Sequence, residues 1–377
     1  MVALTLGSLV IATVYTIGSS ASRHFQEQQR VAQVQLSVRL ALDRIRRDVA
    51  RAGFHGTMSS AGDPACGPPP GVEIRGLRVT DRSAATTAAL TSMTGWTAAT
   101  SHGDLLDITG NFRTGDAFVV REWVGNQLQL STNYMSYRRT FSSDPTTTTI
   151  DTNLVAQTLP ANMPLMARIG GGMRIWTAVS AVTANSIGTS ATITTSTTRP
   201  SCPAAIGMEG WAQGGVTVAP VSMVRYEIVN ANTMPTLGLA PRNPLVVGTN
   251  TVLTRTEINP LTGAILAGPA PLLEFAVHFD VDVFSDTAAA PTAPQVIQVF
   301  DDANATTRTT NNPATIRGVR ISLAARTPEQ DPHLTEAMPA MGDGTPRVFR
   351  VFNRAGGGAA RVRSAYTEVF IPNSASN

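Results

Sequence analysis

The chain has 377 residues, of which 42% are hydrophobic and 15% are charged, and its formal net charge is +3. It is long enough for a sizeable hydrophobic core, with two lobes after its N-terminal segment. The charge is too small and too scattered to argue for a nucleic-acid partner.

The first segment, residues 1–22, carries no charged side chain. A helix of this length, at about 1.5 Å rise per residue, covers the roughly 30 Å of a bilayer core. Two alternatives stay open. One is a cleaved secretory signal, whose basic first part is missing, and the other is a buried core helix at the terminus. The pattern favours the membrane-spanning half of an N-terminal helix.

Residues 23–53 continue the helical pattern, because no Gly or Pro interrupts the chain before Gly53, a candidate C-cap. Apolar residues recur at steps of three and four, which places them along one helix face. A second, thinner line of apolar residues lies on nearly the opposite side. The wide seam consists of Val31, Val34, Val38, Leu42, Ile45, Val49 and Ala52, and the thin seam of Phe25, Ala32, Leu36 and Leu40. The amphipathic half therefore has two surfaces to pack.

This helix resembles a known family. The stretch RHFQEQQRVAQVQLSVRLALDRIRRDVARAGF resembles the N-terminal helix of type IV pilins and, in its closing Arg51-Ala52-Gly53-Phe54, the PilW family of minor pilins. Three later stretches, LLEFAVHFDVDVF, IRGVRISLAARTP and RVRSAYTEVFIPN, are similar to late strands of that family. The resemblance covers residues 1–54 well and the remainder thinly.

The start of the chain departs from the family pattern. Mature pilins begin with a phenylalanine-led stretch containing a glutamate, which follows a short basic leader removed at a glycine. MVALT corresponds to residues just after that glutamate, so no residue here is assigned to the cleavage or the glutamate role. Three explanations stay open: a start codon placed too late, a sequence that omits the segment, or a subunit that lacks it.

Beyond residue 54 the sequence is typical of an antiparallel β protein. Short alternating runs such as DLLDITGNF, SMVRYEIVN and RGVRISLAA are separated by Gly, Pro, Asn and Asp turns. We predict an α+β fold: a long N-terminal pilin-type helix packed on an antiparallel sheet, with an enlarged β- and loop-rich insertion. The predicted divisions are 1–22, 23–53, the insertion lobe 54–215 and the pilin-like sheet 216–377.

Candidate catalytic groups are scarce. The five histidines lack the spacing of metal ligands, and IGGGMR and AGGGAAR do not open a helix in a phosphate-binding frame. We therefore predict no enzyme activity, no catalytic residues, no cofactor and no metal site.

The PilW resemblance implies a structural and assembly-priming subunit of the type IV pilus. It implies a place in a tip complex, with roles in pilus biogenesis, adhesion and twitching motility. The implied partners are other minor pilins, the major pilin and a PilY-type tip adhesin. The implied location is the inner membrane, with the domain in the periplasm, and then the extracellular pilus.

Within this interpretation the two seams have separate roles. Phe25, Ala32, Leu36 and Leu40 form the assembly face, and Val38, Leu42, Ile45 and Val49 face the protein's own sheet. The alternatives are a minor pseudopilin of type II secretion, of the J kind, and a surface adhesin or binding module anchored by a pilin-like helix.

Cys66 and Cys202 are the two cysteines, and both lie in proline-rich stretches. In an oxidising compartment two cysteines commonly pair, so a Cys66–Cys202 disulfide is one prediction and two buried thiols the other. If the bridge forms, non-reducing mass spectrometry will show the linked peptides, and removing either cysteine will cost about 2–5 kcal/mol of stability. Two freely alkylated thiols in the folded protein would contradict the bridge.

Overall fold

A computed structural model describes most of the chain. It covers residues 2–60, 73–82, 103–142, 151–169, 174–184, 191–196, 215–231, 251–288, 295–328, 348–349 and 360–372. Cys66 and Cys202 lie outside these residues.

A single long helix, α1 (Val2–Val49), begins the structure. No proline interrupts its 48 residues, and Arg46 and Arg47 in its last turn interact favourably with the helix dipole. The chain then turns through Gly53, whose φ of 68° lies in the left-handed region that glycine adopts easily. Gly53 lies four residues beyond the end of α1, and its N–H donates to Thr109 O rather than to a helix carbonyl, so the C-cap prediction is wrong.

The predicted membrane-spanning half, residues 1–22, corresponds to the first part of α1. Among the described residues, no helix is long and apolar enough to cross a membrane. Glycine, serine and threonine are frequent between Gly7 and Ser22, and they lower the mean hydropathy of that stretch.

The body of the domain consists of two antiparallel five-stranded sheets. The first has the order β1-β2-β9-β10-β11, and the second has the order β13-β12-β14-β16-β15. The first contains β1 (Leu77–Thr80), β2 (Leu105–Gly110), β9 (Ser222–Asn230), β10 (Thr251–Ile258) and β11 (Ile265–Glu274). The second contains β12 (Ala276–Asp286), β13 (Ile297–Phe300), β14 (Ile316–Arg326), β15 (Val348–Phe349) and β16 (Ala360–Phe370). The α+β class with antiparallel sheets is thereby confirmed.

Helix α1 and the two sheets contribute to one hydrophobic core. Strand alternation explains the contribution of β12, because Phe279, Val281 and Val283 are fully buried while the intervening Asp280 and Asp282 are half-buried. A short helix, α4 (Asp302–Asn311), covers β1, and its buried Thr309 hydroxyl exchanges hydrogen bonds with the backbone of Val79.

A closed six-stranded barrel forms a second unit with its own core. Its strand order is β3-β4-β7-β6-β5-β8. The strands are β3 (Phe118–Val124), β4 (Gln127–Leu130), β5 (Pro164–Ile169), β6 (Arg174–Ala184), β7 (Ala191–Thr195) and β8 (Val216–Pro220). Two short helices, α2 (Met135–Phe141) and α3 (Thr152–Thr158), connect β4 to β5. Fully buried aromatic side chains, including Phe118, Trp123 and Phe141, fill this core.

The barrel is inserted between β2 and β9, which pair directly with each other in the first sheet. The predicted boundary between residues 215 and 216 falls immediately before β8, a barrel strand. Strands β1 and β2 lie within the predicted insertion lobe in sequence, yet they pair in the sheet that contains β9 and β10. Sheet pairing thus limits the inserted unit to the chain between Gly110 and Ser222.

The turn after α1 is held against the end of β2. Gly53 N donates to Thr109 O at 2.8 Å, and Asn111 N donates to Phe54 O at 3.0 Å. The backbones approach so closely at Gly110 that a Cβ atom there would lie 2.3 Å from the carbonyl oxygen of Arg51. Only glycine fits this position without displacing the backbone.

Substituting Gly110 with alanine should therefore destabilise the domain by about 1–3 kcal/mol, because the added methyl group meets backbone rather than a flexible side chain. The matched control is Gly115→Ala, where a Cβ would meet no atom within 4 Å. Urea denaturation of both variants measures the difference. Equal midpoints for the two would show that the turn can relax at no cost.

Candidate assembly surface on the N-terminal helix

Helix α1 has a second half that is embedded in the domain. Seven apolar side chains between Val34 and Ala52 are less than 9% exposed, and all belong to the core shared with the two sheets. They are Val34, Val38, Ala41, Leu42, Ile45, Val49 and Ala52. The four residues predicted to face the protein's own sheet, Val38, Leu42, Ile45 and Val49, are among them. Val31, the first residue of the wide seam, is only half-buried.

The thin seam is on the solvent side of the helix. Phe25, Leu36 and Leu40 are 59–61% exposed, and Ala32 is exposed as well. At 100° per residue these positions lie nearly opposite Val38 and Ile45 on the helix circumference. The described part of the domain therefore leaves this seam uncovered, and its role in assembly stays a prediction.

The first half of α1 extends this apolar surface. Between Gly7 and Ser22 there is no charged side chain, and the large apolar residues are 58–75% exposed. They are Leu9, Val10, Ile11, Val14, Tyr15 and Ile17. The hydroxyls of Thr13, Thr16 and Ser19 bond to backbone carbonyls three or four residues earlier, which satisfies them within the helix. Exposed apolar surface of this extent marks a site of interaction with partners.

A buried charge cluster attaches the end of α1 to the first sheet. Asp48 is 4% exposed, and its Oδ2 accepts a hydrogen bond from the Tyr226 hydroxyl at 2.5 Å and from Arg255 Nε at 2.7 Å. Tyr226 on β9 and Arg255 on β10 are cross-strand partners, so the sheet presents both donors side by side. Arg44, one turn earlier on the helix, lies 3.8 Å from the same oxygen.

The electrostatics of this cluster follow from its burial. Burial raises the pKa of Tyr226, and the adjacent charge of Asp48 raises it further, so the phenol stays protonated and donates. Burial opposes the charge of Arg255, but attraction to Asp48 outweighs it, and the pKa of Arg255 is raised overall. Tyr226 and Arg255 therefore both stay protonated throughout the physiological range.

A second ion pair lies further up the helix, where Arg361 on β16 pairs with Glu27. It connects α1 to the second sheet, as the Asp48 cluster connects it to the first. Both contacts lie on the domain side of α1, away from the thin seam.

Sequence reasoning did not single out Asp48, because it follows the basic run Arg44-Ile45-Arg46-Arg47 and looks like part of a solvated helix end. Its position on the helix circumference could have shown that it lies beside the buried face. Asp48 is seven residues after Ala41 and three after Ile45, which places its carboxylate beside the wide seam.

The metal-ligating side chains and the cysteines were the other groups considered in the sequence. Among the described residues no group of three or more His, Cys, Asp or Glu side chains could hold a metal ion. Cys66 and Cys202, the predicted disulfide pair, cannot be placed because they lie outside those residues.

Comparison with known proteins gives little. No family model matches the chain, and no curated protein does. Among solved structures the chain is similar to a type IV-like pilin from Thermus thermophilus. That match has 11% sequence identity and a TM-score of 0.18, and it covers 59% of this chain and 92% of that one. At this TM-score the likeness carries no argument, and it does not support the PilW family in particular.

Removing the Asp48 charge should loosen the helix from the sheet. Asp48→Asn leaves Arg255 without its carboxylate in a buried setting, and we expect a loss of about 1–3 kcal/mol in unfolding free energy. Asp43→Asn, at an exposed position on the same helix, is the matched control and should change stability by less than about 0.5 kcal/mol. Urea denaturation distinguishes them. Similar values for the two variants would mean that the cluster adds no net stability.

Proposed function

We propose that the protein is a pilin-like subunit that joins a filament through α1. The observation that carries this proposal is the division of one helix into two environments. Its second half is built into the domain core, while its first half and the thin seam present uncharged apolar side chains to solvent. A helix with such a surface needs a partner to cover it.

The proposed mechanism is helix packing. In a fibre, the exposed side chains of α1 pack against the helices of neighbouring subunits, and burying each large apolar side chain contributes roughly 1.5–3 kcal/mol. The domain remains at the periphery, because the Asp48 cluster and the wide seam hold it on the opposite side of the helix.

The finer assignment is to the PilW family of minor pilins, and it rests on the sequence resemblance around residues 23–54. On this proposal the subunit primes assembly, resides in the tip complex and supports adhesion and twitching motility. Its partners are other minor pilins, the major pilin and a PilY-type tip adhesin. The proposed location is the assembled pilus outside the cell. Before assembly, the proposed location is the inner membrane, with the domain in the periplasm.

The barrel favours a second candidate function, that of an adhesin or binding module carried by a pilin-like helix. It has a separate hydrophobic core, and it interrupts the first sheet without altering the pairing of β2 with β9. Such a unit can change its surface without disturbing the domain that holds the helix.

The two seams of α1 provide the test. Leu40→Glu places a charge on the exposed seam, so we expect the domain to stay folded with little change in melting temperature. Co-purification with other pilins and the number of pili should both fall sharply. Ile45 is fully buried, so Ile45→Glu should unfold the domain, because a charge is forced into the core.

Gln35→Glu is the matched control for the assembly measurement, since it adds the same charge at an exposed position beside the thin seam rather than within it. It should leave both folding and piliation unchanged. If Leu40→Glu were to destabilise the domain as much as Ile45→Glu, while assembly survived in every folded variant, the thin seam would be internal packing and its assembly role would be abandoned.

A further inference from the structure

A cavity of about 250 Å³ lies between the turn that follows α1 and the outer face of the barrel. On one side it is lined by the backbone and side chains of the turn from Gly53 to Met58. On the other side it is lined by strands β5, β6 and β8, together with Ala117. The cavity is thus formed where the inserted barrel meets the domain.

The barrel wall of this cavity presents a row of polar side chains. Arg168 on β5 is the cross-strand partner of both Arg174 on β6 and Thr217 on β8, and all three line the cavity. Like charges at directly opposed positions destabilise a sheet. Two arginines in register therefore carry a cost that an anion between them would offset.

One carboxylate lies near this row, because Asp116 and Arg168 both act on the charge of His55. Asp116 lies two residues before β3 and forms an ion pair with Arg139. Within the part of the chain that the structure describes, no carboxylate forms an ion pair with Arg168, which is exposed to the cavity. Arg174 is oriented by the turn, because its Nη1 donates to Thr57 Oγ1 at 2.9 Å.

The opposite wall adds neutral hydrogen-bonding groups. His55 lines the cavity with a φ of 49°, a left-handed conformation that is uncommon for a residue with a side chain. Burial lowers the pKa of His55, with Asp116 acting against this shift and Arg168 adding to it. At neutral pH its imidazole is therefore uncharged, and it offers one donor and one acceptor.

We propose that this cavity binds a small ligand that carries a carboxylate or a phosphate group, held between Arg168 and Arg174. Guanidinium groups bind both oxyanions through paired hydrogen bonds. The volume is below that of sites for drug-sized ligands, which favours a ligand about as large as one acidic sugar. Thr217 and His55 are placed for its hydroxyl groups, and Met58 and Met166 give the cavity an apolar surface.

The test is titration of the full chain with glucuronate, inorganic phosphate and glucose at constant ionic strength, followed by calorimetry and by melting temperature. Both anions should bind and raise the melting temperature, whereas uncharged glucose should do neither. The more tightly bound anion identifies a carboxylate or a phosphate as the preferred group.

Two variants locate the binding. Arg168→Gln should weaken anion binding by about tenfold or more, because a charge-assisted hydrogen bond is lost. Arg121→Gln, an exposed arginine on β3 that does not line the cavity, is the matched control and should bind as the unaltered protein does. If near-ultraviolet circular dichroism shows that Arg168→Gln disturbs the fold, Arg174→Gln serves in its place.

Three results would overturn the proposal. The first is that neither anion binds, the second is that glucose binds as tightly as glucuronate, and the third is that the Arg168 and Arg121 variants bind equally. None of these bears on filament assembly, which the Leu40 and Gln35 variants test separately.

Discussion

The carboxylate of Asp48 reaches from the last turn of α1 into the first sheet, where Tyr226 and Arg255 both donate to one of its oxygens. A buried charge is costly unless it is paired and hydrogen-bonded, so this arrangement permits one rotational setting of the helix. A rotation of one residue, about 100°, would move the carboxylate away from both donors. The same setting directs the wide seam into the core. Because Phe25, Leu36 and Leu40 lie on the opposite side of the helix, the same setting leaves them exposed.

Much of the helix could be predicted from the sequence, because its pattern is local. The spacing of three and four residues that places Val38, Leu42 and Ile45 on one face depends only on helix geometry, and the structure buries these three side chains. The alternation along β12 is of the same kind, with Phe279 and Val281 inside. The membrane span stays a prediction: it rests on the lack of charge in residues 1–22, whereas no helix in the described residues is long and apolar enough to cross a membrane.

The barrel, the Asp48 cluster and the cavity could not be predicted, because each depends on pairing between distant parts of the chain. The whole barrel lies in sequence between Gly110 and Ser222, which pair in the first sheet. No local sequence pattern shows that two strands so far apart in the chain are neighbours. Arg168 and Arg174 look like ordinary surface arginines flanking a glycine turn. Only the register of β5 and β6 shows that the two arginines are cross-strand partners. Only the packing of the turn after α1 against the barrel shows that they line a cavity.

The close contact at Gly110 also determines how the molecule would carry mechanical force. Where α1 ends, its turn is joined to β2 by two backbone hydrogen bonds, from Gly53 to Thr109 and from Asn111 to Phe54. A pull along α1 would therefore pass through these bonds and the Asp48 cluster into the first sheet, and through the Glu27–Arg361 ion pair into the second. The chain enters the barrel after Asn111 and returns to the first sheet in β9, which pairs with β2. The barrel is therefore inserted beside the direct connection from α1 to that sheet. Part of the tension would still reach the barrel, through the hydrogen bonds from Arg174 to Thr57 and from Asn259 to Asn162.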